Sequence, residues 1–140
     1  MSTKTSPKYV GIDLGTTTTG LAYIRSDGNP EIVPNADGER MTPSVVYFDK
    51  HEDIKLVGSA ARDGGDPDRT IHLIKRHMDN PNYVVEMDGR KWTPTEISAL
   101  ILAKMRRDCS RIIGDIRDVV ITVPANFNEL ARKSTIAAAE

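Results

Sequence analysis

Apolar residues alternate with small or polar ones over residues 10–14, so that Val10, Ile12 and Leu14 share one strand face and Gly11, Asp13 and Gly15 the other. A Thr16-Thr17-Thr18-Thr19 run interrupts the alternation. Residues 20–24 resume it, and Ser26-Asp27-Gly28-Asn29-Pro30 closes it with turn formers, which predicts a β-hairpin. A polar loop at 35–44 then precedes strands at 45–48 and 54–57. The Ala-rich stretch 59–62 predicts a short helix that Gly64-Gly65 stops. Asp66-Pro67-Asp68 opens another turn of helix carrying Ile71, Leu73, Ile74, Lys75 and Arg76, and Asn80-Pro81 closes it. Beyond it, Asp88-Gly89 between two apolar stretches signals a two-residue hairpin.

The best helix start follows. Thr93-Pro94-Thr95-Glu96 combines an N-cap threonine, proline at the first helical position and glutamate three after the cap. Ile97, Ile101, Met105, Cys109, Ile112 and Ile113 recur at three and four, predicting a helix to Gly114 with Lys104, Arg106, Arg107 and Arg111 on its exposed side. That basic stripe reads as a solvated face or, alternatively, as the docking surface of an acidic partner. Residues 118–123 are apolar on both faces, as in a strand covered from both sides, and Pro124 ends it. Asn128 can cap a last helix over 129–140, which stops in mid-pattern with no glycine, proline or polar exit. That stop implies a chain cut short. No internal repeat or low-complexity linker is present.

A chain of 140 residues could form one domain, burying roughly two-thirds of its unfolded surface if compact and complete. Its 19 basic and 20 acidic residues nearly cancel, which argues against sequence-independent binding of nucleic acid or anionic membrane. No apolar run approaches the ~20 residues of a membrane span, and residues 1–8, read as a disordered tail, lack the apolar core of a signal peptide. A cytoplasmic protein is expected. The single Cys109 excludes an internal disulfide and reads as a buried small side chain. Zinc sites are not indicated either, since His51 is followed four residues on by Lys55 and the pair His72 and His77 falls on different helix faces.

Candidate chemistry concentrates in the first hairpin. Asp13 faces the side without bulk, and Gly15 can adopt positive φ, so that a tight turn would aim successive N–H groups into an anion-binding nest. Thr16 and Thr17 would add hydroxyl donors. Asp13 would hold Mg2+ and the nest a polyphosphate, which makes a nucleotide phosphate loop. The spacing Gly15-x4-Gly20 imitates a P-loop, but Leu21-Ala22 stands where Lys-Ser/Thr is required. Four β-branched threonines at the turn of an ordinary hairpin are the alternative.

Four segments in order resemble the 70-kilodalton heat-shock chaperones of the DnaK type: Gly11-Ile12-Asp13-Leu14-Gly15-Thr16-Thr17, Asn35-x-x-Gly38-x-Arg40-x-Thr42-Pro43-Ser44, Ile74-Lys75-Arg76-His77-Met78, and Val120-Ile121-Thr122-Val123-Pro124-Ala125-x-Phe127-Asn128-x-x-x-Arg132. The first is shared with sugar kinases and actin-like ATPases, whereas the last two are more specific. The resemblance implies an α/β, actin-like ATPase (ribonuclease-H-like) fold of which only the first lobe is present, without the peptide-binding domain. Residues 9–38 and 115–140 would form its core sheet subdomain and 39–114 a peripheral one. It also implies ATP/ADP and Mg2+ as cofactors, with Asp13 organising the metal through water, and Gly15, Thr16, Thr17 and Thr18 cradling phosphates. Lys75 would approach the γ phosphate and attacking water; outside the resemblance it reads as a surface lysine. Pro124 and Arg132 would relay nucleotide state. Partners implied for the parent are unfolded polypeptide clients, a J-domain co-chaperone and a nucleotide exchange factor.

Asn126 departs from the family pattern, which usually has tyrosine there. The reading that follows is the amino-terminal fragment of an ATP-hydrolysing chaperone, itself weak or inactive toward ATP because the remaining phosphate and adenosine motifs are missing. A standalone, non-catalytic binding module is the alternative from another class. A sugar kinase of the same superfamily would need neither 74–78 nor 120–132.

Overall fold

A computed structural model describes residues 9–50, 55–123 and 127–140. The expected tail at 1–8, His51, the expected strand start at Ile54, and Pro124 with Asn126 lie outside the described residues. Strands β1 (Val10–Leu14) and β2 (Thr18–Ile24) form the expected antiparallel hairpin, in register from Val10 opposite Tyr23 to Leu14 opposite Thr19. Two short strands, β3 (Pro30–Ile32) and β4 (Thr42–Pro43), line the far edge of β2. A second sheet joins β5 (Val46–Phe48), β6 (Lys55–Val57) and β7 (Thr70–Ile71), with helix α1 (Ser59–Arg62) between β6 and β7. Strands β8 (Val85–Met87) and β9 (Arg90–Trp92) make a separate hairpin across Asp88 and Gly89, both at positive φ (52° and 79°) as a type I′ turn demands.

Helix α2 (Pro94–Ile113) starts on the anticipated capping box: Thr93 Oγ1 accepts from Glu96 N at 3.1 Å, and Glu96 Oε1 accepts from Thr93 N at 3.1 Å. Strand β10 (Val120–Thr122) then returns beside β1 in parallel, giving the order β10-β1-β2-β3, and α3 (Glu129–Ala139) follows. Helix α2 packs on β2 and α3 and reaches β5 and β6. Its Ile97, Ile101, Met105 and Cys109 join Ile12, Leu14, Leu21 and Val33 in one core. Among the described residues no helix is long and apolar enough to cross a membrane.

Four expectations require correction. The helical turn over 66–80 is two 3-10 turns, Pro67–Arg69 and Ile74–His77, separated by β7, because Leu73 enters the left-handed region (φ 58°, ψ 26°) and breaks the helical path. The last strand is covered on one face only: Val120 is 72% exposed. Lys104 is not on the solvated stripe but buried, with its Nζ 2.7 Å from Asp108 Oδ2. Within the loop at 35–44, Asn35, Thr42 and Ser44 are buried and β4 forms there, since each polar side chain finds a partner inside.

Candidate phosphate and metal site

Parallel pairing with β10 places Asp13 beside Thr122, whose Oγ1 donates to Asp13 Oδ1 at 3.0 Å. Opposite Asp13 on β2 stands Gly20, and a Cβ there would meet Met41 Sδ at 2.7 Å. With Gly11 on the same side and the Met41 side chain lying over Gly20, Asp13 presents an exposed carboxylate. Alternation in β1 thus delivers the carboxylate to the open side while Val10, Ile12 and Leu14 anchor the strand in the core.

The turn after β1 departs from expectation in one respect. Gly15 does not occupy the left-handed region. Glycine is needed there for close approach instead, because a Cβ would stand 2.1 Å from the Thr18 carbonyl oxygen. Thr16 is half-buried, Thr17 and Thr18 are exposed, and Thr18 already belongs to β2. Among the described residues, the N–H groups of Thr16 and Thr17 donate to no protein group. The loop's carbonyls, by contrast, are held: Ser44 Oγ donates to Gly15 O at 2.9 Å and Ser44 N to Thr17 O at 2.8 Å. Thr19 Oγ1 lies 2.8 Å from Ser44 Oγ.

Lys75 arrives from the 3-10 turn Ile74–His77, and its Nζ donates to the carbonyl of Leu14, 61 positions earlier. The side chain is buried, with the ammonium 5.4 Å from the centroid of the Phe127 ring. Burial draws the Lys75 ammonium below the usual lysine range, and the Asp13 carboxylate opposes that shift. A cavity of about 280 Å³ opens here, lined by Thr16, Lys75, Arg76, Asp79, Phe127, Asn128 and Ala131. Asn128 caps α3 by accepting from Ala131 N at 2.8 Å, so the positive end of that helix faces the same space. Arg132 is exposed on α3. A larger cavity of about 510 Å³ lies against the core-facing Ile12 and Leu21 and against Ile121, and no residue of the 15–17 turn lines it. Size alone therefore does not mark the site.

Behind the loop runs a polar scaffold that the sequence reading missed. Asp108 Oδ2 accepts from Lys104 Nζ and, at 3.0 Å, from Ala36 N. Burial raises the Asp108 carboxyl, but these donors outweigh it and leave the group below the usual range. Asn35 Nδ2 donates to Thr42 Oγ1 at 2.9 Å, and Asn35 Oδ1 accepts from the N–H groups of Asp37 and Glu39. Helix α2 is thus tied to the segment that carries Ser44. The available signal was the polar cluster Asn35, Thr42 and Ser44 next to a strand, read as a solvent loop. Cys109 is buried with its thiol pushed up to about 11, mainly by desolvation, which suits a packing role.

Asp13, Gly15, Thr16 and Lys75 converge at one end of β1, and Arg132 is exposed on α3 one position beyond Ala131, which lines the cavity. Comparison with known proteins bears on the same segments. The sequence profile of the Hsp70 protein family matches residues 9–83 and 77–140. The chaperone protein DnaK of Thermotoga neapolitana is 47% identical over 129 residues, covering 90% of this chain and 21% of the relative. That of Thermotoga petrophila shows the same identity and coverage. The chain spans about one fifth of the length of these curated relatives. With the family profile covering every position from residue 9 to residue 140, the chain belongs to the Hsp70 family.

Proposed function

We propose that this chain is the phosphate-gripping opening portion of a cytoplasmic, DnaK-type chaperone that uses Mg-ATP to drive cycles of unfolded-polypeptide binding and release. In that reading a J-domain co-chaperone and a nucleotide exchange factor act on the whole protein. One observation carries it: Asp13, the N–H groups of Thr16 and Thr17, which donate to no group among the described residues, and the ammonium of Lys75 meet around the end of β1 although Lys75 lies 61 positions from Leu14.

The residues fit the cofactors. Mg2+ is a hard ion that keeps several waters and takes one or two carboxylates together with phosphate oxygens, and Asp13 offers one exposed carboxylate steadied by Thr122. Gly15 leaves no room for a side chain because the Thr18 carbonyl oxygen stands where a Cβ would be, so glycine is what lets the turn close tightly enough to bring its amides together. When bound, Mg2+ would supply charge neutralisation on the phosphates. Asp13 would hold the metal through water, and the Thr16, Thr17 and Thr18 donors would hold phosphate oxygens. Lys75, whose ammonium is held at the Leu14 carbonyl, would supply a positive charge for the terminal phosphate, in surroundings dry enough to strengthen that attraction.

The actin-like division into a core sheet subdomain, 9–38 with 115–140, and a peripheral one, 39–114, belongs to this reading, as does a first lobe acting with a second. The β10-β1-β2-β3 sheet supports the core part. A relay through Pro124 and Arg132 belongs to it as well, supported by the position of α3 beside the Lys75 cavity. Residues 1–140 alone are expected to bind ATP weakly or not at all and not to turn it over. The test is a chimera in which this chain replaces the matching fifth of the Thermotoga neapolitana relative. Hydrolysis by the chimera, with losses of about 100-fold or more in Asp13→Asn and Lys75→Met, is expected. Undiminished hydrolysis in either variant overturns the assignment, and micromolar Mg-ATP binding by the isolated chain contradicts the need for a second lobe.

A further inference from the structure

We infer that Ser44 is a positioning residue that aims the phosphate loop's amides; this rests on the loop being a phosphate site, as proposed above. Ser44 is 3% exposed and holds two carbonyls of one turn, Gly15 O through Oγ and Thr17 O through its own N–H. In a trans peptide the C=O and the following N–H point in opposite directions. Pulling the Gly15 carbonyl toward Ser44 therefore turns the Thr16 N–H away from it, and pulling the Thr17 carbonyl does the same for the Thr18 N–H. Both amides are directed outward, away from the buried side where Ser44 sits.

The proton assignment follows from the inventory. A serine hydroxyl has one proton, and Gly15 O has none to give, so Ser44 Oγ–H donates to the carbonyl. The Thr19 hydroxyl, wholly buried and 2.8 Å away, must then donate to Ser44 Oγ. This makes a directed chain, Thr19 to Ser44 to Gly15, in which each bond polarises the next. Ser44 is in turn fixed by the strand pairing of β4, Thr18 with Pro43 and Thr19 with Thr42. Asn35 secures Thr42 from the other side. A segment without phosphate contacts of its own thus sets the direction of the groups that make them.

The experiment uses the labelled 140-residue chain and magnesium tripolyphosphate, followed by amide and carbonyl resonances. Without ligand, Ser44→Ala is expected to shift the Gly15 carbonyl resonance as its hydrogen bond is lost, with α2 amides unmoved; Ser44→Thr, which keeps the hydroxyl, restores it. On titration, Thr16 and Thr18 amides of the unaltered chain respond, and Ser44→Ala weakens that response about tenfold, the scale of losing a charge-assisted bond. Ser44→Thr should lie within about threefold of the unaltered chain, and so should Thr19→Val, which leaves the Ser44–Gly15 bond in place. A merely structural role would make Thr19→Val the more damaging, since Thr19 is the more buried of the two. If Ser44→Ala does not fold, Ser44→Cys, a weaker donor of similar size, takes its place and must also weaken binding. Equal affinity in the serine variants with an altered Gly15 carbonyl overturns the positioning role and leaves the phosphate site standing. No response in the unaltered chain overturns the positioning role, and hydrolysis by the chimera and its Asp13 and Lys75 variants then decides the phosphate site by itself.

Discussion

The two faces of the β10-β1-β2-β3 sheet are made by the same residues taken alternately, and they do opposite work. One face, with Val10, Ile12, Leu14 and Leu21 all 5% exposed or less, joins the core that α2 completes. The other, with Gly11, Asp13, Val120 and Thr122, remains open. A one-residue slip would exchange them, so burial of the first face is what delivers the carboxylate to the second. Stability and chemistry are separated by one pleat.

The comparison breaks most visibly if a core residue can be trimmed at no cost. Ile97→Ala, at a fully buried site, is expected to lose about 2–5 kcal/mol in urea unfolding, against changes within about 0.5 kcal/mol for Val120→Ala on the open face. Next in size is the polar scaffold. Asp108→Asn should cost about 3 kcal/mol at neutral pH by leaving Lys104 buried without its counter-charge. Because the folded carboxyl lies below the usual range, this difference is full above about pH 4 and fades as pH falls through the depressed value, which a pH series of unfolding curves reads directly.

Thr93→Ala should cost about 1 kcal/mol by thermal unfolding, the worth of one side of a capping box. Lys75→Met sharpens the contrast by going the other way, with a gain of about 1 kcal/mol expected in the ligand-free chain, since a buried ammonium disfavours folding. Burial lowers its folded pKa, so the charged form is the costly one and the gap should narrow as pH rises through that pKa toward the unfolded value of about 10.4. The smallest change in stability, under about 0.5 kcal/mol, is expected for Asp13→Asn, together with loss of the magnesium-dependent part of the tripolyphosphate response. A large destabilisation there would mean that the open face also carries the fold.

Much of this was legible because local physics decided it. The hairpin over β1 and β2, the Asp88-Gly89 turn, the capping box of α2 and the Asn128 cap each depend on residues a few positions apart, and each stands where the sequence indicates. The loop at 35–44 was misjudged for the converse reason. Its polar side chains are satisfied by groups distant in sequence, as when Ala36 N reaches Asp108, 72 positions away, so nothing nearby signals burial. Lys104 shows the same limit: the helical period places it on the stripe with Arg106 and Arg107, and only packing reveals its place inside.

Alternation and motif, read from the chain alone, determined that Asp13, Gly15 and the threonines form a phosphate-loop candidate on a hairpin within the Hsp70 family. Tertiary structure alone decided that Lys75 reaches the Leu14 carbonyl, that Thr122 steadies Asp13 and that Ser44 holds the turn from behind. The reason is one of range. Strand pleat and capping act across a few residues, whereas a parallel crossover and a buried hydrogen bond between distant segments exist only once the core has closed and water has been excluded.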